Sequence, residues 1–396
     1  MKRHPVIVAG GGPAGMCAAL FLIQQGIPVL MIERHDGLFA DPRAATFHPP
    51  TLEMLAPSGV TAQLLELGIV AQKWQNWERT QGMIAEFDLA VLADQTDFPY
   101  RLQCEQHKLV GVLRAMLADH PDFDLRTGEQ VTEIVQSDDH VTIQTDKGVY
   151  ECDWLIGADG GRSVVRKSQP FVFEGFTYPE RFLVITSTYD FAQDGYAYSN
   201  YVGDPNEWCA IFKVPAAGPP GLWRTVFPTN SAANEADLVA IDSATRQMEA
   251  LVPGDRPFEV VHTNLYTVHQ RVADRFRHGR VMLVGDAAHL NNPLGGMGMN
   301  FGIHDAENVA RSIRAAIDSG SDAPLDRFDR QRRTVANSFL QTMTIQNKAA
   351  LEERDPAVRA KRHDELRRNA TDPALAHAFL MRTSMIEGVR QANAIE

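Results

Sequence analysis

Residues 10–15 of the chain read Gly-Gly-Gly-Pro-Ala-Gly, and this spacing constrains the fold more than any other feature of its 396 residues. Before it lies a short β-branched run, Val6-Ile7-Val8. After it, Met16 to Gln25 suits a helix ending at Gly26, and Pro28 to Ile32 reads as a second buried strand leading to Glu33. In Gly10-x-Gly12-x-x-Gly15 the first glycine permits a tight turn and the second lets backbone approach a pyrophosphate. The third lets helix and strand pack closely. Ala14 stands inside the turn, and the helix N-terminus attracts negative charge. Glu33, with Arg34 beside it, is placed to meet the ribose hydroxyls of an adenosine. A strand–turn–helix–strand opening predicts a parallel sheet. The motif alone leaves NAD and FAD both open, and glycine turns also arise for purely structural reasons.

Pro5 to Ile23 carry no charge and follow Lys2, Arg3 and His4, an outline shared with signal peptides. Four glycines and Pro13 are incompatible with one continuous apolar helix, so neither secretion nor a membrane span is expected. With 38 basic and 50 acidic residues the net charge is −12, which repels phosphate backbones and argues against a nucleic acid partner. Cys17, Cys104, Cys152 and Cys209 lie far apart without a CxxC pair, which argues against disulfides and zinc and for the cytoplasm. No His, Asp or Glu cluster has metal-ligand spacing. The pairs His35-Asp36, His304-Asp305 and His363-Asp364 read as capping or surface residues.

Further along, Arg101 to about Met116 has a helical pattern, and 124–158 reads as short strands separated by polar turns. Residues 181–228 alternate as an antiparallel sheet interrupted by PAAGPPG. RVMLVGD at 280–286 returns to a buried parallel-type strand. A long helix follows, with Ile303, Ala306, Ala310, Ile313 and Ile317 on one face, and the tail from about Leu325 is helical and polar.

Two more stretches choose the cofactor. DWLIGADGGRSVVRK holds Asp159-Gly160, Arg162-Ser163 and Arg166. GRVMLVGDAAHLNNPLGGMGMNFGIHDAENVA holds Gly285-Asp286, His289, Pro293 and a glycine-rich segment opening a helix near Gly298. With the first motif, these resemble the three fingerprints of the single-component FAD-dependent aromatic hydroxylases, the p-hydroxybenzoate hydroxylase-like family. The resemblance runs from Val6 to about Ala310.

The resemblance implies an α/β fold. A Rossmann-like FAD-binding domain with a parallel sheet takes 1–75, 98–180 and 276–325. An antiparallel-sheet substrate domain takes 76–97 and 181–275, and a helical C-terminal region takes 326–396. It implies that Asp159 serves FAD and productive nicotinamide binding, and that Arg43 and Gln106 reach the FAD diphosphate or ribityl chain. Read from chemistry, Asp286 suits the ribityl hydroxyls, or else a helix N-cap. The backbone N–H groups of Gly296, Gly298, Met299 and Asn300 suit the flavin pyrimidine edge, or else these glycines serve unusual dihedrals. There is no second GxGxxG, which fits NADH or NADPH binding transiently as co-substrate.

The implied reaction is hydroxylation of a small phenolic or hydroxypyridine-type aromatic with O2 through a flavin C4a-hydroperoxide. A dehydrogenase or reductase of the same fold is the alternative. Trp74 and Trp77 lack the WxWxIP pattern of flavin halogenases. Resemblance places the ring beside Pro293. It aligns Arg224 with a carboxylate-holding position, while an ordinary strand arginine explains that residue equally well. Of Tyr196, Tyr198 and Tyr201, one (Tyr201 is the candidate) would meet the phenol, and the others would pack. His48 is an acid–base candidate, His269 with Arg271 a candidate for the nicotinamide phosphates, and His289 a structural residue. NNPLGGMGMN departs from the commoner PPxxGQG form of its loop, with Met297 in place of Gln. The chain is expected to group with the compact members, without the extra C-terminal domain of the longer relatives, and its helical tail could support a homodimer.

Overall fold

The computed structural model describes residues 3–37, 44–254 and 258–396. Its first sheet is the one announced by the glycine turn. The strands Arg3–Ala9, Val29–Ile32, Phe123–Arg126, Val149–Gly157 and Val281–Leu283 run parallel, with Arg3–Ala9 between Val149–Gly157 and Val29–Ile32. Val6, Ile7, Val8, Leu155, Ile156 and Met282 are fully buried, as strands covered on both faces must be. The hairpin Val131–Gln136 and Val141–Thr145 extends the sheet antiparallel from Val149–Gly157.

Helices Pro13–Gln24 and Gly298–Ser319 pack against one another over this sheet. Ile303, Ala306, Ala310 and Ile313 are buried as the periodicity requires, while Ile317, in the last turn, is exposed.

The second sheet is mainly antiparallel. Its order is His289–Leu290, Val260–Ala273, Phe173–Ser187, Leu222–Pro228, Cys209–Val214, Ser199–Gly203, Lys73–Glu78, Gly82–Asp88. Only Ser199–Gly203 beside Lys73–Glu78 is parallel. One face is closed by helix Ile241–Leu251, packed on Ile185, Trp223 and Phe227. The other looks toward the first domain.

A three-stranded sheet, Thr46–Phe47, Arg101–Gln103 and Ile69–Ala71, bridges the two halves. This corrects the helical reading of residues 101–103. Tyr-Arg-Leu-Gln-Cys is captured as a strand by two partners remote in sequence, and the helix begins only at Gln106.

The C-terminal helices Ala323–Val335, Thr342–Leu351, Pro356–Thr371, Pro373–Thr383 and Ile386–Asn393 follow, with a π-helical turn at Ala336–Gln341 between the first two. Among the described residues no helix is long and apolar enough to cross a membrane.

Candidate active site and cofactor cradle

The turn between the first strand and helix shows why its glycines are needed. Gly10 has φ +105°, a left-handed conformation costly to other residues, and its N–H donates to the Ile32 carbonyl at 2.8 Å. A Cβ on Gly15 would overlap the Gly10 carbonyl, so the helix packs on the turn only without a side chain there. Gly12 differs from both: its φ is an ordinary −73°, and a Cβ would meet nothing within 4 Å. Bare backbone therefore faces open space at the residue expected to lie against a pyrophosphate. Glu33 accepts from the Gly11 N–H at 2.6 Å through one oxygen and from the His35 N–H at 2.8 Å through the other. Arg34 is exposed, its guanidinium 3.1 Å from the His35 ring.

Ala14 packs where the turn meets the third motif. A Cβ on Gly285 would come within 2.9 Å of the Ala14 methyl, and Gly302 is equally confined. Asp286 follows, exposed, in the short turn Gly285–Ala287 rather than at the start of the long helix. Asp159 spends its carboxylate on the chain after it: Ser163 Oγ donates at 2.5 Å, and the Val164 and Val165 N–H groups at 2.6 and 3.1 Å. Burial pushes its carboxyl above the ordinary value, against these bonds. Arg166 ties this segment to the third motif, donating to the Ala287 and Gly161 carbonyls at 2.8 and 2.7 Å.

A buried ionic network missed in the sequence sits beneath. Asp305 accepts from Arg332 Nε at 2.6 Å, lies 2.7 Å from His289 Nε2, and accepts from the Gly285 N–H at 3.0 Å. Burial pushes its carboxyl up, but Arg332 and His289 outweigh that and hold it at about 2. His304-Asp305 is thus not a capping or surface pair, since both residues are buried.

The glycine-rich loop is clamped from three directions. Gly296, at φ +63°, turns toward Thr46, whose Cβ lies 2.9 Å from where a Gly296 Cβ would stand. Asn300, fully buried, donates to the Thr46 and Gly296 carbonyls at 2.8 and 2.7 Å and accepts from the His48 N–H at 3.0 Å. The exposed Pro293 is followed by a tight turn closed by the Gly296 N–H on its carbonyl at 2.9 Å. Asn292 donates to the Thr344 carbonyl at 2.9 Å, and Asn347 to that of Leu294 at 3.2 Å.

His48 Nε2 lies 2.8 Å from the Gly295 carbonyl, which can only accept, so this nitrogen carries the proton. Burial, then Arg101, lowers its pKa to about 3, and the ring is neutral at physiological pH. Gly298, Met299 and Asn300 form the first helical turn, whose N–H groups have no intrahelical acceptors.

Over this loop lies a cavity of about 410 Å³. The second sheet supplies Trp74 and Tyr201, the loop supplies Gly295 and Met297, and the C-terminal helices supply Leu351 and Phe379 among others. The C-terminal region, which carries no sequence signature, is thus the cavity's third wall. Arg101 stands in it, over the Trp74 ring at 5.5 Å. Of the three tyrosines only Tyr201 reaches it. Tyr196 packs on Trp77 with centroids 4.3 Å apart, and Tyr198 on Trp223 at 5.9 Å. Burial raises the Tyr201 phenol, against the pull of Arg101, so it stays protonated. Arg224 is buried on the same sheet face, paired across to Thr186 and Phe212, but does not line the cavity.

On the ribbon joining the halves, His269 lies 2.9 Å from Thr177 Oγ1, and its pKa is lowered by burial, then by Arg271 and Arg162. Gln106 opens its helix half-buried, its N–H on the Ala44 carbonyl at 3.0 Å. Arg43 lies outside the described residues.

The residues fit FAD: an open-faced Gly12, the acid at Glu33, and a free helix N-terminus at Gly298 stand in the order a dinucleotide with a redox ring requires. Comparison with known proteins agrees. The FAD binding domain family matches residues 3–343. The chain is 33% identical over 393 residues to para-nitrophenol 4-monooxygenase of Pseudomonas sp. (strain WBC-3), covering 97% of this chain and 96% of that one. It is 32% identical to 6-hydroxy-3-succinoylpyridine 3-monooxygenase HspB of Pseudomonas putida (strain DSM 28022 / S16), covering 84% and 85%. The crystal structure of p-nitrophenol 4-monooxygenase PnpA from Pseudomonas putida DLL-E4 superposes with a TM-score of 0.92 at 32% identity, over 99% of each chain. The chain is an enzyme with FAD as its cofactor, and it belongs to the single-component FAD-dependent aromatic hydroxylases, a family of flavoprotein monooxygenases.

Proposed function

We propose that this enzyme binds a small phenolic or hydroxypyridine-type aromatic in the cavity between Tyr201, Arg101 and Gly295 and hydroxylates it with O2, using NADH or NADPH. The carrying observation is that one loop, residues 293–298, both walls this cavity and opens the helix of the cofactor cradle. The named activities of the relatives, on p-nitrophenol and on a hydroxypyridine, support the same class.

In this reading the first sheet and its helices hold FAD through Gly10, Gly12, Gly15, Glu33, Asp286 and the helix start at Gly298 to Asn300. Asp159 positions that site through Val164 and Val165, and Arg43, Arg34 and Gln106 flank the cofactor. FAD, when bound, supplies the electron transfer and oxygen activation. The chain's part is to orient the ring and exclude water. His48, neutral and donating to Gly295, positions the loop that carries Pro293. Tyr201, protonated, offers its hydroxyl to the ring substituent, and Arg224 supports the sheet behind it. Arg162, His269 and Arg271 form a basic group suited to the nicotinamide phosphates. The dependence on NADH or NADPH favours the cytoplasm, and the exposed Ile345, Val358 and Leu375 of the C-terminal helices favour a homodimer.

The test is donor oxidation by the FAD-loaded protein with nitrophenols, hydroxybenzoates and hydroxypyridines, measuring hydroxylated product and hydrogen peroxide together. One compound should stimulate oxidation and yield product equal to the donor consumed. Stimulation by none of them, or peroxide alone from all, would contradict the proposal.

A further inference from the structure

Arg101 is only 4% exposed, yet no described carboxylate lies within ion-pair distance of it. Its Nε is buried without a hydrogen-bond partner, and its two other nitrogens reach Ser199 Oγ and the Thr383 carbonyl only at 3.4 Å. These are at the outer edge of hydrogen bonding. Two other deeply buried arginines are satisfied: Arg332 by Asp305 at 2.6 Å, and Arg166 by two carbonyls at 2.8 and 2.7 Å.

The titratable groups beside Arg101 offer no negative charge. Tyr201 is a protonated phenol and His48 a neutral imidazole. The carboxylates that line the cavity, Glu353 and Glu365, lie close enough to Arg362 to stabilise its charge. A guanidinium remains charged in such a place, and a desolvated cation without an anion is costly. Stacking on Trp74 compensates only the face of the group. Its desolvation is met on folding, so an arriving anion finds a receptor already stripped of water.

We propose that Arg101 is the anion receptor of the cavity: it holds the ionised oxygen of the aromatic, a phenolate or pyridinolate, and thereby selects ionisable rings over their ethers. The inference rests on the cavity being the substrate site. It assigns the charge of the bound ligand, which the hydroxylase reading leaves open. On binding, the phenol gives its proton to water, and the resulting oxyanion pairs with the guanidinium in a charge-assisted hydrogen bond. A purely structural Arg101, tying Ser199 to the end of the Pro373–Thr383 helix, would leave the ligand's protonation state unaffected.

The probes are 4-nitrophenol and its methyl ether, 4-nitroanisole, titrated into the FAD-loaded full chain below the pKa of the free phenol. Difference spectra report which form is bound. Wild type should bind 4-nitrophenol with the phenolate spectrum and about 10–100-fold more tightly than the ether. Arg101→Met should lose that preference and the phenolate spectrum, while keeping its affinity for the ether. Arg101→Lys should recover the spectrum in part, and Arg224→Met should keep it. A neutral spectrum in wild type, a phenolate spectrum in folded Arg101→Met, or binding of neither probe would overturn the proposal. Should the Arg101 variants fail to hold FAD or fold, the wild-type comparison of phenol with ether decides. If the hydroxylase reading alone were wrong, the spectral signature would persist while turnover yielded no hydroxylated product.

Discussion

Arg332 and Arg101 are buried almost equally, at 3% and 4% exposure, in regions that treat a charge in opposite ways. Beneath the cofactor cradle, Arg332 is closed onto Asp305, and Asp305 onto His289 and the Gly285 N–H. The Arg332 guanidinium and the Asp305 carboxylate are thus matched by groups of the same chain. In the cavity, Arg101 is matched by nothing stronger than a ring and two long contacts. A closed network fixes a backbone, and an open one awaits a ligand. The cofactor region is therefore built to be rigid before FAD arrives, and the cavity to be completed by what it binds.

The largest effect should come from opening the closed network. Asp305→Asn leaves Arg332 without its anion and should lower stability by about 3–5 kcal/mol, read by denaturant unfolding. Its pH dependence follows from the same pairing. The folded carboxyl lies below its unfolded value, so the contribution is complete above the ordinary carboxylate range and is lost as pH falls toward about 2. Wild type should thus keep this part of its stability at pH values where ordinary carboxylates are half protonated, and the variant should show no such step.

The glycines sharpen the contrast within one turn. Gly15→Ala, which would overlap the Gly10 carbonyl, should destabilise the apoprotein by about 1–3 kcal/mol. Gly12→Ala, with open space ahead of it, should leave apoprotein stability within about 0.5 kcal/mol and instead weaken FAD binding. Equal effects of the two on the apoprotein would mean that Gly12 does not face the cofactor.

Asn300→Ala removes three buried hydrogen bonds that hold the loop to Thr46 and His48, at about 1–3 kcal/mol for the groups left unpaired. It should appear as faster flavin release and a larger fraction of peroxide. The smallest effect belongs to Tyr201→Phe, which leaves the cavity's shape and deletes one hydroxyl. A fall of about 2–10-fold in kcat/KM is expected, steeper for phenols than for the binding of their ethers.

The closed region was the more legible in sequence. Gly10, Gly12, Gly15 and Glu33 declare themselves through spacing, because turn, strand and helix are neighbours in the chain. Asp305 and Arg101 did not. Asp305 was misread because its helix is enclosed on more than one side, and its partner comes from Arg332 on the next helix. Arg101 was misread because a three-residue strand is decided by Thr46–Phe47 and Ile69–Ala71, which local propensity cannot see. The C-terminal helices look featureless in sequence because their apolar side chains are divided among a cavity wall, a small cluster around Phe339 and Leu340, and packing on the second sheet through Leu366, Leu380 and Ile386.

The central claim, that the open region is a receptor for an ionised aromatic, is tested most directly by a crystal structure of the FAD-loaded enzyme with 4-nitrophenol. The account predicts the ring between Tyr201 and the Gly295 loop with its phenolic oxygen on the Arg101 guanidinium. A ring bound at Arg224 instead, or in the cavity with that oxygen turned away from Arg101, would contradict it.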